Sequence, residues 1–157
     1  MRPPLRLASL SLRPTRPRRT FSTSPALLAK NRIYNNIRRP DELHTLLLLS
    51  ASSHVPLVTL WSASWCSACA AVRPVLKELL ESEGVGEAAG GLGFAEVELD
   101  SVEIGALGVE YMINSMPTLL AFSRGEAQME TKLVRPEVMK DRAKLREWLE
   151  EEARRGG

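Results

Sequence analysis

No aspartate or glutamate occurs before Asp41, and the whole chain of 157 residues holds only two cysteines and two histidines. Its longest apolar run, near Leu46 to Leu49, falls far short of the ~20 residues that cross a bilayer, so a membrane-spanning role is not expected. The glycine-rich stretch from Gly84 to Gly93 contains neither a GxGxxG nor a GxxxxGK pattern, which removes the usual dinucleotide and P-loop phosphate readings. With 44% hydrophobic residues the chain can bury one domain-sized core without a disulfide staple. Two cysteines that stability does not require point to an intracellular protein that keeps them for reactivity or metal ligation.

The acid-free start sets the charge balance. Arg2, Arg6, Arg13, Arg16, Arg18, Arg19 and Lys30 precede Asp41, whereas past residue 30 the 19 acids outnumber 14 lysines and arginines. The basic pI of 8.7 therefore belongs to the leader, and a nucleic-acid partner is not expected. Arg, Ser, Thr, Pro and Leu without acids over residues 1–30 is the composition of a mitochondrial transit peptide, drawn inward by a matrix-negative potential. Arg19-Thr20-Phe21-Ser22-Thr23-Ser24 resembles a two-step matrix-processing signal, with cuts near Thr20 and after Leu28. The expectation is a presequence over 1–30, a folded domain over 31–157, and a mitochondrial matrix location. A disordered basic tail binding RNA or anionic lipid is the alternative.

Both cysteines stand in Trp65-Cys66-Ser67-Ala68-Cys69, at the mouth of a helical pattern. Two cysteines in a first helical turn can close a disulfide locally, and the helix N-terminus favours the thiolate of the first. The alternative is a metal half-site. Zinc needs four ligands, and only His44 and His54 remain, at irregular spacing upstream; an iron–sulfur cluster would require ligands from a second chain or a thiol cofactor.

Around this pair the pattern predicts a short strand over 33–37, then a helix opened by Pro40 and Asp41 through about Ser50. Leu57 to Trp61 is apolar on both faces, as in a buried central strand. Val72, Val75, Leu76 and Leu79 give one stripe to a helix over 66–82, with Pro74 kinking it. A flexible glycine-rich loop is expected next, then a strand over 94–100, a helix over 102–107, a strand over 118–122, a turn at Arg124-Gly125 and an edge strand over 127–133. A final helix from Pro136 places Val138, Leu145, Trp148 and Leu149 on one face, and Glu150-Glu151-Glu152 with Arg154-Arg155 reads as a solvated helix end. This order implies an α/β fold: a mixed sheet of about five strands with helices on both faces. Trp61 is expected in the core and Trp148 in helix packing.

Residues 31 to 153 resemble a thioredoxin. Trp65 before the CxxC, Pro74 five residues beyond it, Met116-Pro117-Thr118 opening a strand, and Arg124-Gly125 after that strand carry the likeness. The resemblance implies a thioredoxin fold and a protein-disulfide oxidoreductase, expected as a monomer with no bound cofactor beyond a redox-active Cys66–Cys69 disulfide. It implies that Cys66 attacks and Cys69 resolves, that Trp65 is a surface platform, and that a cis Met116-Pro117 bond lies beside the disulfide, where Met116 pairs with substrate. Protein disulfides are the implied substrates, with an NADPH-linked reductase or glutathione as reductant.

Three features, at four positions, depart from the family pattern. Ser67-Ala68 replaces the usual Gly-Pro, from which a less reducing potential is expected. Leu60 stands where the family buries an aspartate, and Glu96 where it has a lysine. Glu96 is expected to replace the missing acid in part, although a buried carboxylate without a cation prefers to be protonated. A peptide-binding module with little turnover is the alternative function.

Overall fold

In the computed structural model, which describes residues 29–156, five strands form one sheet in the order β1-β3-β2-β4-β5. The strands are β1 (Arg32–Ile33), β2 (Leu57–Ser62), β3 (Gly93–Glu98), β4 (Thr118–Ser123) and β5 (Glu126–Ala127). β1, β3 and β2 run parallel; β4 is antiparallel to β2, and β5 to β4. Five helices cover the sheet: α1 (Pro40–Ser53), α2 (Ser67–Lys77), α3 (Gly105–Glu110), α4 (Pro136–Lys140) and α5 (Arg142–Gly156). The expected presequence lies outside the described residues apart from Ala29 and Lys30.

Side-chain alternation along the strands builds two cores. Val58, Leu60, Phe94, Leu119 and Ala121 pack on one face with Val72 and Leu76 of α2, Met139 of α4 and Leu145 and Leu149 of α5. On the other face Leu57, Trp61, Ala95, Val97, Leu120 and Phe122 meet Leu43 of α1 and Ile104 before α3. Trp61 is fully buried, and its indole N–H donates to Thr59 Oγ1, whose hydroxyl donates to the Leu120 carbonyl. Its polar atom is thus satisfied inside the core. Trp148 packs at the edge of the first core and donates to the Thr131 carbonyl.

Several elements differ from expectation. The strand expected over 33–37 is instead the two-residue β1, which starts one residue earlier at Arg32 and holds only Ile33 of that segment, followed by a single bridge from Ile37 to Val97. The segment expected as an edge strand over 127–133 leaves the sheet after Ala127 for a 3-10 turn at Met129–Thr131, then returns through one bridge from Leu133 to Leu119. The helix expected over 102–107 starts three residues later. The helix expected over 66–82 is α2 followed by a π turn at Glu78–Ser82, with Pro74 inside α2. The final helix is two helices, because the Asp141 carboxylate accepts from the N–H groups of Ala143 and Lys144 and caps α5 anew. Met139, not Val138, then faces the core. The glycine-rich segment is a hydrogen-bonded turn. The Asn31 amide donates to the carbonyls of Leu80 and Val85 and accepts from Leu92 N–H. Gly86, at φ 90, takes a backbone conformation that costs a residue with a side chain.

Glu152 corrects the picture of a solvated helix end. It follows Leu149 by three residues, so it lies on the inward stripe of α5 and is 1% exposed, with Oε1 unpartnered among the described residues. Burial holds its carboxyl above the usual carboxylate range.

Candidate active site

β2 ends at Ser62 and α2 begins at Ser67, so the CxxC segment sits at the carboxyl edge of a central strand. Cys66 is the N-cap of α2 in extended conformation, and its Sγ accepts the backbone N–H of Cys69 at 3.1 Å. The two cysteines are joined as a disulfide, with Cα atoms 5.3 Å apart. Their environments differ: Cys69 is fully enclosed, while Cys66 keeps 9% of its surface at the solvent edge. In the reduced form the Cys66 sulfur meets a backbone N–H and the positive end of the helix dipole, both of which favour a thiolate there. The segment can therefore cycle between dithiol and disulfide, with one sulfur better placed to be reached.

Trp65 is 72% exposed beside Cys66, the surface placement expected of a platform. The preceding residue holds the loop to the sheet edge: Ser64 donates its N–H and hydroxyl to Asp100 Oδ2 at 3.0 and 2.5 Å. These bonds hold the Asp100 carboxyl below its usual range. Ser67 is exposed and Ala68 half-buried, both in the first turn of α2. Met116 packs against Ala63, Cys66 and Cys69, and the Met116-Pro117 bond is cis. Pro117 is buried at the start of β4.

Glu96 is not the cation-free carboxylate expected. It is 5% exposed, and Arg73 of α2 meets it in bidentate fashion: Nε donates to Oε2 at 2.8 Å and Nη2 to Oε1 at 2.5 Å. Ser62 Oγ also donates to Oε1, at 2.5 Å. The carboxylate beside it raises the Arg73 guanidinium above its ordinary value. Leu60, paired in register with Glu96, is fully buried among the apolar residues facing α2. Arg73 and Ser62 were not singled out from sequence. The available signal was that a strand covered on both faces buries Glu96, so its cation must come from the helix packed above it.

A second ion pair flanks the edge, where Arg38 donates from Nε to Glu98 Oε2 at 2.7 Å and Asn36 Nδ2 donates to Oε1. Both hold the Glu98 carboxyl below its usual range. No group of three or more His, Cys, Asp or Glu side chains that could hold a metal ion occurs among the described residues, so the zinc alternative finds no ligand set there. No helix among them is long and apolar enough to cross a membrane.

The thioredoxin family model matches residues 43–151. Thioredoxin C-2 of Corynebacterium nephridii is 38% identical over 90 residues, covering 57% of this chain and 75% of that protein. A thioredoxin-like protein of Fusarium culmorum is 35% identical over 92 residues, covering 59% and 69%. Among solved structures, Malassezia sympodialis thioredoxin superposes with TM-score 0.60 at 20% identity, covering 81% of this chain and 96% of that one. Reduced Schistosoma mansoni thioredoxin pre-protein gives 0.58 at 23% identity, covering 77% and 98%. At such identities these two likenesses speak to the fold.

Proposed function

Because the chain belongs to the thioredoxin family and is a thiol–disulfide oxidoreductase whose redox group is the Cys66–Cys69 disulfide, we propose that it reduces protein disulfides in the mitochondrial matrix. The asymmetry of the two sulfurs carries the division of labour. Cys66, at the solvent edge and on the helix N-terminus, is the nucleophile; enclosed Cys69 resolves.

In this scheme the Cys66 thiolate attacks one sulfur of a substrate disulfide, and the departing substrate thiolate takes up a proton. Cys69 then loses its proton and attacks Cys66 Sγ, which releases the second substrate thiolate to accept that proton. Two electrons and two protons pass to the substrate, and Cys66–Cys69 is left oxidised. An NADPH-linked reductase or glutathione restores the dithiol. Trp65 and Met116 flank the attacking sulfur of Cys66, Trp65 presenting an apolar face and Met116 a backbone edge to an extended substrate. Ser67-Ala68 between the cysteines supports a potential less reducing than that of a family member carrying Gly-Pro.

Insulin reduction by dithiothreitol tests the reading. Wild type accelerates precipitation and Cys66→Ser does not; equal rates would overturn it in favour of a peptide-binding module, the reading that Leu60 at the position of the family's buried acid supports. For location, residues 1–40 fused to a fluorescent reporter should collect in mitochondria, and a diffuse cytosolic signal would refute that. A Cys69→Ser trap in isolated mitochondria should retain client proteins as mixed disulfides with Cys66.

A further inference from the structure

We propose that Arg73 and Glu96 work as one charge-compensated positioning unit for the dithiol, clamping α2 to the end of β2 while each cancels the other's field at the sulfurs. Arg73 lies four residues beyond Cys69, about 6 Å of helix rise, and side chains on a helix lean toward its N-terminus. Its guanidinium ends on Glu96 of β3, the strand paired with the β2 that leads into the cysteines. Ser62 closes the arrangement from β2, one residue before Ala63, which packs against both cysteines. The unit thus ties together the strand and the helix between which the redox loop is suspended. Pro74, inside α2 next to Arg73, removes a backbone hydrogen bond from this part of the helix, so a side-chain tie has more to hold there.

The same contacts assign Glu96 a different task from the acid role expected of it. Both carboxylate oxygens are engaged, by a guanidinium and a hydroxyl, and the nearby Glu98 has its own cation in Arg38. The exchange reaction balances without Glu96, since the proton leaving Cys69 ends on the departing substrate thiolate, directly or through water. Glu96 is then a positioning residue whose negative charge offsets Arg73.

This has a signature in sign. Glu96→Gln leaves the Arg73 charge uncompensated on the helix that carries the cysteines, which favours a thiolate and stabilises the reduced form. Arg73→Met removes the positive charge from α2 and so favours the disulfide. The full chain is equilibrated with glutathione redox buffers near neutral pH, and the dithiol fraction is read by thiol alkylation. Glu96→Gln should shift the equilibrium about three- to tenfold toward dithiol, and Arg73→Met by a smaller factor toward disulfide, since a buried carboxyl without its cation gives up part of its charge. A tenfold shift is about 30 mV. The double variant Arg73→Met/Glu96→Gln should return within about twofold of wild type, as should Arg73→Lys, which keeps the charge.

Thermal melts of each variant accompany the measurement. If Arg73→Met does not fold, the shift of Glu96→Gln and its reversal in the double variant still decide. Single variants that shift in the same direction, or do not shift, would overturn the proposal. It rests on the dithiol chemistry, and the two fail differently: a wild type that never equilibrates with glutathione defeats that chemistry, whereas normal equilibration with unshifted variants defeats only the pair.

Discussion

Glu96 and Glu152 are both carboxylates almost completely withdrawn from water, yet they are accommodated by opposite means. Glu96, at the redox end of the sheet, is met by a guanidinium and a hydroxyl that together engage both its oxygens. Glu152, on the inward stripe of α5, has one oxygen with no partner among the described residues, and burial favours its protonated form. Burying a carboxylate is tolerable when a cation comes with it or when the charge is given up, and the two solutions respond differently to pH and mutation. The end of the molecule where chemistry happens brings a cation to its carboxylate, whereas at the remote end burial disfavours the charge.

Removing the cation should break the first solution most severely. Arg73→Met strands a carboxyl group that is 6% exposed and should destabilise the fold by about 3 kcal/mol, the low end for broken buried pairs, because the arginine reaches partly into solvent. Chemical denaturation of the oxidised protein measures it, and a loss below that of Glu96→Gln would contradict the account. Glu96→Gln should cost less, about 1 kcal/mol, because the guanidinium left behind is 34% exposed and so already partly hydrated in place.

Glu152→Gln sharpens the other side of the comparison, since it should stabilise the protein at neutral pH by about 1 kcal/mol. The sign follows from its raised pKa: folding is undisturbed where Glu152 is protonated in both states, below the ordinary value of 4.5, and stability is lost as pH climbs from there through the raised folded value. The gap between variant and wild type in Tm should therefore open with rising pH and close on acidification. A gap constant across pH would show that shape rather than charge sets it.

The smallest effect is expected at Glu98, whose lowered pKa gives the opposite trend. Its pair with Arg38 contributes above 4.5 and is lost as pH falls through the folded value, so Glu98→Gln should cost about 0.5 kcal/mol near neutrality and nothing in acid. Tm against pH for this variant should converge with wild type at low pH.

What could be read from the sequence was governed by range. Cys66, Cys69, the stripe of Val72, Leu76 and Leu79, and the apolar run of β2 declare themselves through spacing within one element. The thioredoxin fold and the place of Pro117 came from motif resemblance. Arg73 escaped because its partner lies 23 residues away on a strand whose register against the helix no local pattern encodes. Glu152 escaped because it sits among charged neighbours, so composition spoke louder than its place three residues after Leu149. Asp141 offered a capping signal, but the apolar spacing across it suggested one continuous helix. The 127–133 segment alternates like a strand, and alternation does not reveal that a chain leaves its sheet midway.

Asn31 adds a consequence for how the molecule comes into being. Its side chain closes on backbone groups of Leu80, Val85 and Leu92, which stand 49, 54 and 61 positions later. At about 5–20 residues per second of synthesis, Asn31 emerges roughly 3–12 s before the last of them exists. β1 likewise has no β3 to pair with during that interval. The start of the domain thus waits for partners made later, and for those seconds it is open to whatever binds nascent chains.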